Sequence, residues 1–251
     1  MEQEGPAAVV TLNRPEKRNA LSLEMMLELI YVLQTLGAEA KVRAIIIAAE
    51  GKVFCSGHDL AQMVGRTQGE YQKLFETCSD LMLKLEATPQ PVIAEVHGLA
   101  TAAGCQLVAA CDLAIASEDA KFATPGVRIG LFCSTPMVPL TRAVGRKRAM
   151  HMLLTGDAID ARTACEWGLI NRAVTAGELK NATREVAAKI AESSAYVIAV
   201  GKRAFYDQIE ADERSAYAHV KSVMTSNALA CDAQEGISAF LAKRAPIWTG
   251  K

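Results

Sequence analysis

The sequence predicts an α/β fold with a helical C-terminal extension. Three observations carry this expectation. Apolar, β-branched runs alternate with helical patterns between Ala8 and Val174. From about Leu179 onwards the chain is Ala-rich and amphipathic, with no strand pattern. No linker, low-complexity segment or repeat divides it, so one continuous core is expected.

The elements follow in order. Ala8 to Leu12 is a short β-rich run, ended by the turn Asn13-Arg14-Pro15. Ser22 is placed as the N-cap of a helix whose Met26, Leu27, Ile30 and Leu33 form one apolar stripe. Arg43 to Ala49 reads as a buried strand stopped at Gly51. A helical pattern from Tyr71 to Glu86 is closed by Pro89 and Pro91. Val92 to His97 is the next strand, Thr101 to Ala110 a helix of small residues, and Leu113 to Ser117 another strand. Asp160 caps a short helix ending at Gly168, and Leu169 to Val174 is the last strand.

Composition narrows the function classes. The chain has 251 residues, 51% hydrophobic and 22% charged, with a formal net charge of −1. That balance gives no electrostatic case for nucleic acid, and the basic cluster Arg142, Arg146, Lys147 and Arg148 is better read as a solvated helix face or a contact with the phosphates of a small ligand. The strongly apolar stretch Ala44 to Ala49 is far too short for a membrane span. Seven cysteines without a CxxC pair and four histidines without HxxxH suggest a reduced protein with no structural zinc. The first residues show no export or transit pattern. A dinucleotide-binding fold fails at the turn, because Gly98 and Gly104 do not make GxGxxG.

Two segments carry chemistry: Phe54-Cys55-Ser56-Gly57-His58-Asp59-Leu60 and Gly98-Leu99-Ala100-Thr101-Ala102-Ala103-Gly104-Cys105-Gln106-Leu107. Each follows a buried strand and turns towards a helix on small residues. Such turns bring main-chain N–H groups close to one another, where they can hold a developing oxyanion. Small-residue turns are also ordinary packing solutions, so the residues alone leave both readings open. Among side chains, His58 in the first turn is a candidate for proton transfer, and Cys133 is a candidate nucleophile without a visible base. Glu95 is expected to make a structural contact with His97 or across strands, and Asp59 and Asp112 to fix backbone N–H groups. Met25, Met26, Met150 and Met152 are expected as core filler.

The segments NRPEKRNAL, FCSGHDL, PVIAEVHGLATAAGCQLVAACDLAIAS, FATPGVRIGL and LLTGDAIDARTACEWGLINRAV together resemble the enoyl-CoA hydratase/isomerase (crotonase) superfamily, in order and over nearly the whole chain. The resemblance implies a crotonase-like spiral of ββα units over residues 1–190 and a helical C-terminal trimerisation region over 191–251. It implies an oxyanion hole built from the main-chain N–H groups of His58 and Ala103. His58, Asp59, Leu60 and Ala61 would line the acyl-CoA path, Lys17 and Arg18 would contact coenzyme A, and Lys243 would reach the coenzyme A phosphates of a neighbouring subunit. The implied partners are an acyl-CoA thioester and further copies of the chain, as a homotrimer or a dimer of trimers. Coenzyme A would enter as part of the substrate, with no covalently bound cofactor. The implied location is the bacterial cytoplasm, or the mitochondrial matrix after removal of a transit peptide. Family members usually have another strand before Gly5, so the start is expected to be truncated or to form a short hairpin.

Hydratases of the family hold water between two glutamates. By the resemblance, the first position is Gln106 and the second Gly126. A neutral amide exchanges no proton at neutral pH, and glycine offers only space. Positioned acid–base groups are worth roughly 10²–10⁴ each, so efficient hydration is not expected. Enolate chemistry, such as decarboxylation of a malonyl-type thioester, or non-catalytic acyl-CoA binding remains. Restoring both glutamates is expected to raise hydration if the pocket is otherwise kept.

Overall fold

The computed structural model describes all of residues 1–251. The chain opens on a short antiparallel hairpin, β1 (Glu2–Glu4) against β2 (Ala7–Leu12), turning at Gly5 with φ +59°. A short hairpin is present at the start. Helix α1 (Leu23–Gly37) begins where Ser22 accepts the Met25 N–H at 3.2 Å. It buries Met25, Met26, Leu29, Leu33 and Leu36. Leu27, expected on that stripe, is 48% exposed, because the buried arc lies one residue to its side.

Strands then alternate between two sheets. β3 (Ala44–Ala49) joins the first and β4 (Val53–Cys55) the second, before α2 (Gln68–Ala87) returns the chain. β5 (Val92–Val96), β6 (Leu99–Thr101) and α3 (Ala103–Ala110) repeat the unit, and β7 (Leu113–Ser117) with β8 (Lys121–Ala123) begins it again. After α4 (Met137–Val144) and α5 (Arg146–Thr155), β9 (Ile159–Asp160), α6 (Ala161–Trp167) and β10 (Arg172–Val174) complete the sheets. The larger sheet runs β1-β2-β3-β5-β7-β10 and the smaller β4-β6-β8-β9. This is a spiral of ββα units, as expected from the resemblance.

The β-branched run of β3 explains the layering. Ile45 and Ile47 face the main core, while Ala44, Ile46 and Ala48 face a second cluster with Ala187 of α7 (Leu179–Ala191). A parallel strand covered on both faces has to be apolar throughout. On the α7 side, Glu95 accepts from Thr183 Oγ1 at 2.5 Å and pairs with Arg184. His97 is not its partner: the His97 ring bonds instead to the Gly51 carbonyl at 2.9 Å. The Arg184 guanidinium on α7 faces the buried Glu95 side chain and supplies it with a charge-assisted hydrogen bond.

The last helices, α8 (Ala195–Ile209), α9 (Glu213–Ala228) and α10 (Cys231–Leu241), follow. α8 and α9 contain no buried residue, and Phe240 and Leu241 of α10 are 82% and 77% exposed. Met150 of α5, expected in the core, is 46% exposed, whereas Met152 is buried. Arg142 pairs with Glu210 at 2.6 Å and Arg148 lies over Trp167, so the basic cluster is a surface face. No helix is long and apolar enough to cross a membrane.

The C-terminal tail is strapped to α10. Buried Asp232 accepts from Ser194 Oγ, from the Thr249 N–H and hydroxyl, and from the Gly250 N–H, at 2.5–3.0 Å. Burial pushes its carboxyl up, but these donors outweigh that and hold it at about 2. A carboxyl lowered on folding stabilises the fold above its unfolded value of 3.8, and that contribution is lost as pH falls towards 2. Trp248 Nε1 donates to the Glu192 carbonyl at 2.7 Å, so its fluorescence reports on the tail. In a Trp167→Phe background, emission should change between pH 4 and 2, and Asp232→Ala should show the released signal at neutral pH. A strap insensitive to both would disprove this anchoring.

Candidate active site

The two small-residue turns meet. Gly57 follows β4 at φ +91°, and a Cβ placed on it would lie 3.2 Å from the Ala103 nitrogen and 3.0 Å from the Thr101 carbonyl. Only glycine permits both that dihedral and that approach. The segment bridges to Leu21: the Leu21 N–H donates to Gly57 O at 2.7 Å and the Asp59 N–H donates to Leu21 O at 3.2 Å. In a parallel bridge the residue between points its N–H the other way, and the His58 N–H has no backbone acceptor. The Ser56 N–H donates to the Arg18 carbonyl at 3.1 Å, which fixes the base of this turn.

The second turn is strained. Ala102, the N-cap of α3, has φ +51° and ψ −119°, a region that side chains other than glycine occupy at a cost of roughly 1–3 kcal/mol. The kink lets α3 start at Ala103, whose N–H belongs to the helix end where intrahelical acceptors are missing. Gly104 then packs α3 flat on β4, since a Cβ there would lie 2.2 Å from the Cys55 carbonyl.

A cavity of about 430 Å³ lies against both turns. His58, Ala102 and Ala103 form part of its wall, with Thr101 of β6 and Phe75 of α2. Ser56, Leu60 and Met63 add to it, and the loop after β8 supplies the opposite side, including Gly126, Leu131 and Cys133. No aspartate or glutamate lines the cavity. Six buried side-chain polar atoms in the chain lack a partner, and three of them belong to His58 and Thr101 in the cavity wall. Burial holds the His58 imidazole below its ordinary range; the Leu21 carbonyl opposes this but falls short of hydrogen-bond geometry with the ring. Burial also pushes the Cys133 thiol up, which disfavours the thiolate a nucleophile needs.

Of the residues singled out in sequence, His58, Leu60, Ala103, Gly126 and Cys133 line the cavity. Asp59 and Ala61 do not: Asp59 caps the turn by accepting the Ala61 N–H at 3.2 Å and pairs with Arg14 at 3.5 Å. Lys17 and Arg18 are exposed on the preceding turn, and Lys243 is exposed after α10. Gln106 is not in the cavity wall. It is 3% exposed, and its amide oxygen accepts from the Cys78 thiol of α2 at 3.7 Å. Nor does Gly126 offer space. A Cβ there would lie 2.0 Å from the Leu131 carbonyl and 2.8 Å from the Cys133 sulfur, because the Leu131 N–H turns back onto Gly126 O at 2.9 Å.

The family model for enoyl-CoA hydratase/isomerase matches residues 2–251. The chain belongs to the enoyl-CoA hydratase/isomerase family. Enoyl-CoA hydratase domain-containing protein 3, mitochondrial, of Xenopus laevis is 46% identical over 250 residues, which are 99% of this chain and 85% of that one. An enoyl-CoA hydratase structure from Mycobacterium smegmatis superposes with a TM-score of 0.96 at 48% identity, covering 99% of this chain and 97% of the other. The crystal structure of human enoyl coenzyme A hydratase domain-containing protein 3 also gives 0.96, at 46% identity, with 98% of each chain covered. The similarity of GLATAAGCQLVA and PGVRIGLFCSTP to the domain-containing protein 3 type agrees with these relatives.

Phe75, Met63 and Ile129 line the cavity but were not singled out in the sequence. Each is an unremarkable apolar residue in its local pattern. Only the edge-on contact of Phe75 with His58, ring centroids 5.6 Å apart, marks it as part of the site.

Proposed function

We propose that this member of the family binds acyl-CoA thioesters and polarises the thioester carbonyl with the main-chain N–H groups of His58 and Ala103, without efficient hydration of enoyl-CoA. The supporting observation is one cavity lying against both turns with no carboxylate in its wall. Two donors aimed at a developing enolate oxygen are worth roughly 10²–10³ each in rate. Hydration also needs a base for water and an acid for the α-carbon, each worth roughly 10²–10⁴. At Gln106 and Gly126 neither is supplied. Lys17, Arg18, Asp59 and Ala61 would flank the coenzyme A portion, with Leu60 at the cavity.

Loss of CO₂ from a malonyl-type thioester is the enolate reaction that suits such a cavity. The bond between the α-carbon and the carboxylate breaks, its electron pair moves into the enolate, and a solvent proton later completes the product. No protein base takes part, and a wall without Asp or Glu does not repel the leaving carboxylate. Pure acyl-CoA binding is the alternative.

Self-association is part of the proposal. Helices without a buried residue and the exposed pair Phe240 and Leu241, beside Lys243, suit a homotrimer or dimer of trimers in which Lys243 serves a neighbour's site. The names of the relatives suit the mitochondrial matrix, and the mycobacterial similarity suits a bacterial cytoplasm.

Turnover of an acyl-CoA panel, with native mass spectrometry, tests the reading. Crotonyl-CoA hydration is expected at least ~10⁴-fold below that of a family member with both glutamates, with acyl-CoA binding retained. Hydration at the rate of such a member would refute it, as would failure to bind any acyl-CoA.

A further inference from the structure

Three polar side-chain atoms beside the two turns stand unpaired. They are both ring nitrogens of His58 and the Thr101 hydroxyl, each buried and each on a residue that lines the cavity. Buried polar groups in folded proteins are paired in the large majority of cases, so orphans gathered in one cavity wall call for a partner the chain does not supply. The His58 ring rests edge-on against Phe75 at 5.6 Å, and no hydrogen bond fixes it. Neighbouring atoms cover all three, so ring and hydroxyl must rotate slightly to close onto a ligand, as hydrogen bonds at such sites commonly tighten only in the complex. Burial holds the imidazole below its ordinary range, which keeps it neutral at neutral pH, with one nitrogen donating and the other accepting. Both residues belong to the thioester turns: His58 carries the first main-chain donor, and Thr101 stands two residues before the second, Ala103.

The charge of the wall selects the partner. Arg128 is its one charged residue, and that guanidinium already pairs with Asp157 and donates to the Thr155 carbonyl at 3.2 Å. An acyl carboxylate in the cavity would meet no opposing carboxylate and no unpaired cation, only neutral donors. We infer that the His58 imidazole and the Thr101 hydroxyl hold the carboxylate of a 2-carboxyacyl-CoA and set the direction in which it leaves. The inference rests on the proposed thioester site and adds the acyl class and the side chains that read it. Neutral donors suit a leaving carboxylate, whose charge is lost from it during the reaction. The bond from the α-carbon breaks, and its electron pair enters the enolate at the His58 and Ala103 N–H groups. CO₂ departs uncharged, and a solvent proton goes to the α-carbon. An arginine clamp would add an ion pair that weakens on the way to the transition state, and so would hold the reactant back. What two neutral donors on different turns contribute is orientation, keeping the carboxylate out of the thioester plane where the breaking bond overlaps the carbonyl.

The test is CO₂ release from malonyl-CoA by the full chain, with equilibrium binding of acetyl-, butanoyl- and 3-hydroxybutanoyl-CoA alongside. Thr101→Val keeps the branched shape in β6 and removes the hydroxyl, while His58→Phe keeps the main-chain N–H and a ring against Phe75. Each should lower kcat/KM for malonyl-CoA by at least about tenfold more than it weakens acetyl-CoA, the scale of a lost hydrogen bond to a charged group. Thr101→Ser, which restores a hydroxyl, should recover most of that loss. Decarboxylation unchanged in both variants would overturn the inference. So would a matching fall in acetyl-CoA affinity, which would mark the two side chains as structural. A 3-hydroxybutanoyl-CoA that binds tighter than butanoyl-CoA, with the gain abolished by Thr101→Val, would assign the pair to a hydroxyl and also overturn it. Binding of acetyl-CoA without any CO₂ release from malonyl-CoA would overturn it and leave the thioester site standing. Failure of every thioester to bind would instead refute the site on which the inference rests.

Discussion

Replacing Gly126 by glutamate, together with Gln106→Glu, is expected to produce no hydratase and to cost about 3 kcal/mol or more of folding stability. The first carbon of any side chain at 126 would lie 2.0 Å from the Leu131 carbonyl, a backbone atom that the Leu131 N–H to Gly126 O bond holds in place. Relief requires opening the loop that walls the cavity. At 106 a carboxyl would be almost wholly buried, and burial favours its neutral form, so it would be a poor base at neutral pH. Restoring two glutamates by sequence position therefore does not restore a water site. Denaturant unfolding of the single and double variants, with crotonyl-CoA hydration of the soluble fraction, checks both parts. Gain of hydration with an unchanged unfolding midpoint would show that the loop yields and that the sequence-level expectation was sound.

Asp112→Ala should destabilise the fold by about 3–5 kcal/mol and loosen α8 from the core. Asp112 accepts from Lys202 Nζ at 2.6 Å, from the Tyr206 hydroxyl at 2.9 Å and from the Val92 N–H at 2.7 Å. The Lys202 side chain is only 7% exposed and also donates to the Leu85 and Gln90 carbonyls. Burial pushes its ammonium below the usual range, and the Asp112 charge is what opposes that. Alanine would leave a buried cation with carbonyls alone. Lys202→Met should cost less, because Asp112 keeps two donors. Urea denaturation of the three proteins decides the order, and an Asp112→Ala variant as stable as Lys202→Met would show that the charge pair is not what anchors α8.

Much of the fold was legible from local pattern. The isoleucine run of β3, the Ser22 cap and the prolines after α2 each state their element within a few residues. Boundaries were less so. The predicted helix from Thr101 starts at Ala103, because Thr101 is drawn into β6 by pairing with Ala123. The predicted strand from Leu169 is confined to Arg172–Val174, since Leu169 and Ile170 still bond back to Ala164 at the end of α6. Spacing alone puts Leu27 and Met150 on buried faces, and spacing does not say how wide the buried arc is.

At the site, the sequence by itself determined the two turns. Gly57 and Gly104 stand where any side chain would strike the opposing backbone, and the small residues around them write that requirement into the chain. What lies beyond the turns was decided only in three dimensions. Gln106 and Gly126 keep the positions of two glutamates in the linear motif. Yet one side chain turns to Cys78 of α2, and the other position is closed by a loop five residues further on. The meeting of Met63 and Phe75 with Ile129 across the cavity was likewise invisible, because the last comes from a loop more than fifty residues further along the chain. Turn chemistry is a property of neighbouring residues, which the sequence records. The shape of a cavity is a property of surfaces brought together by packing, and no local pattern records it.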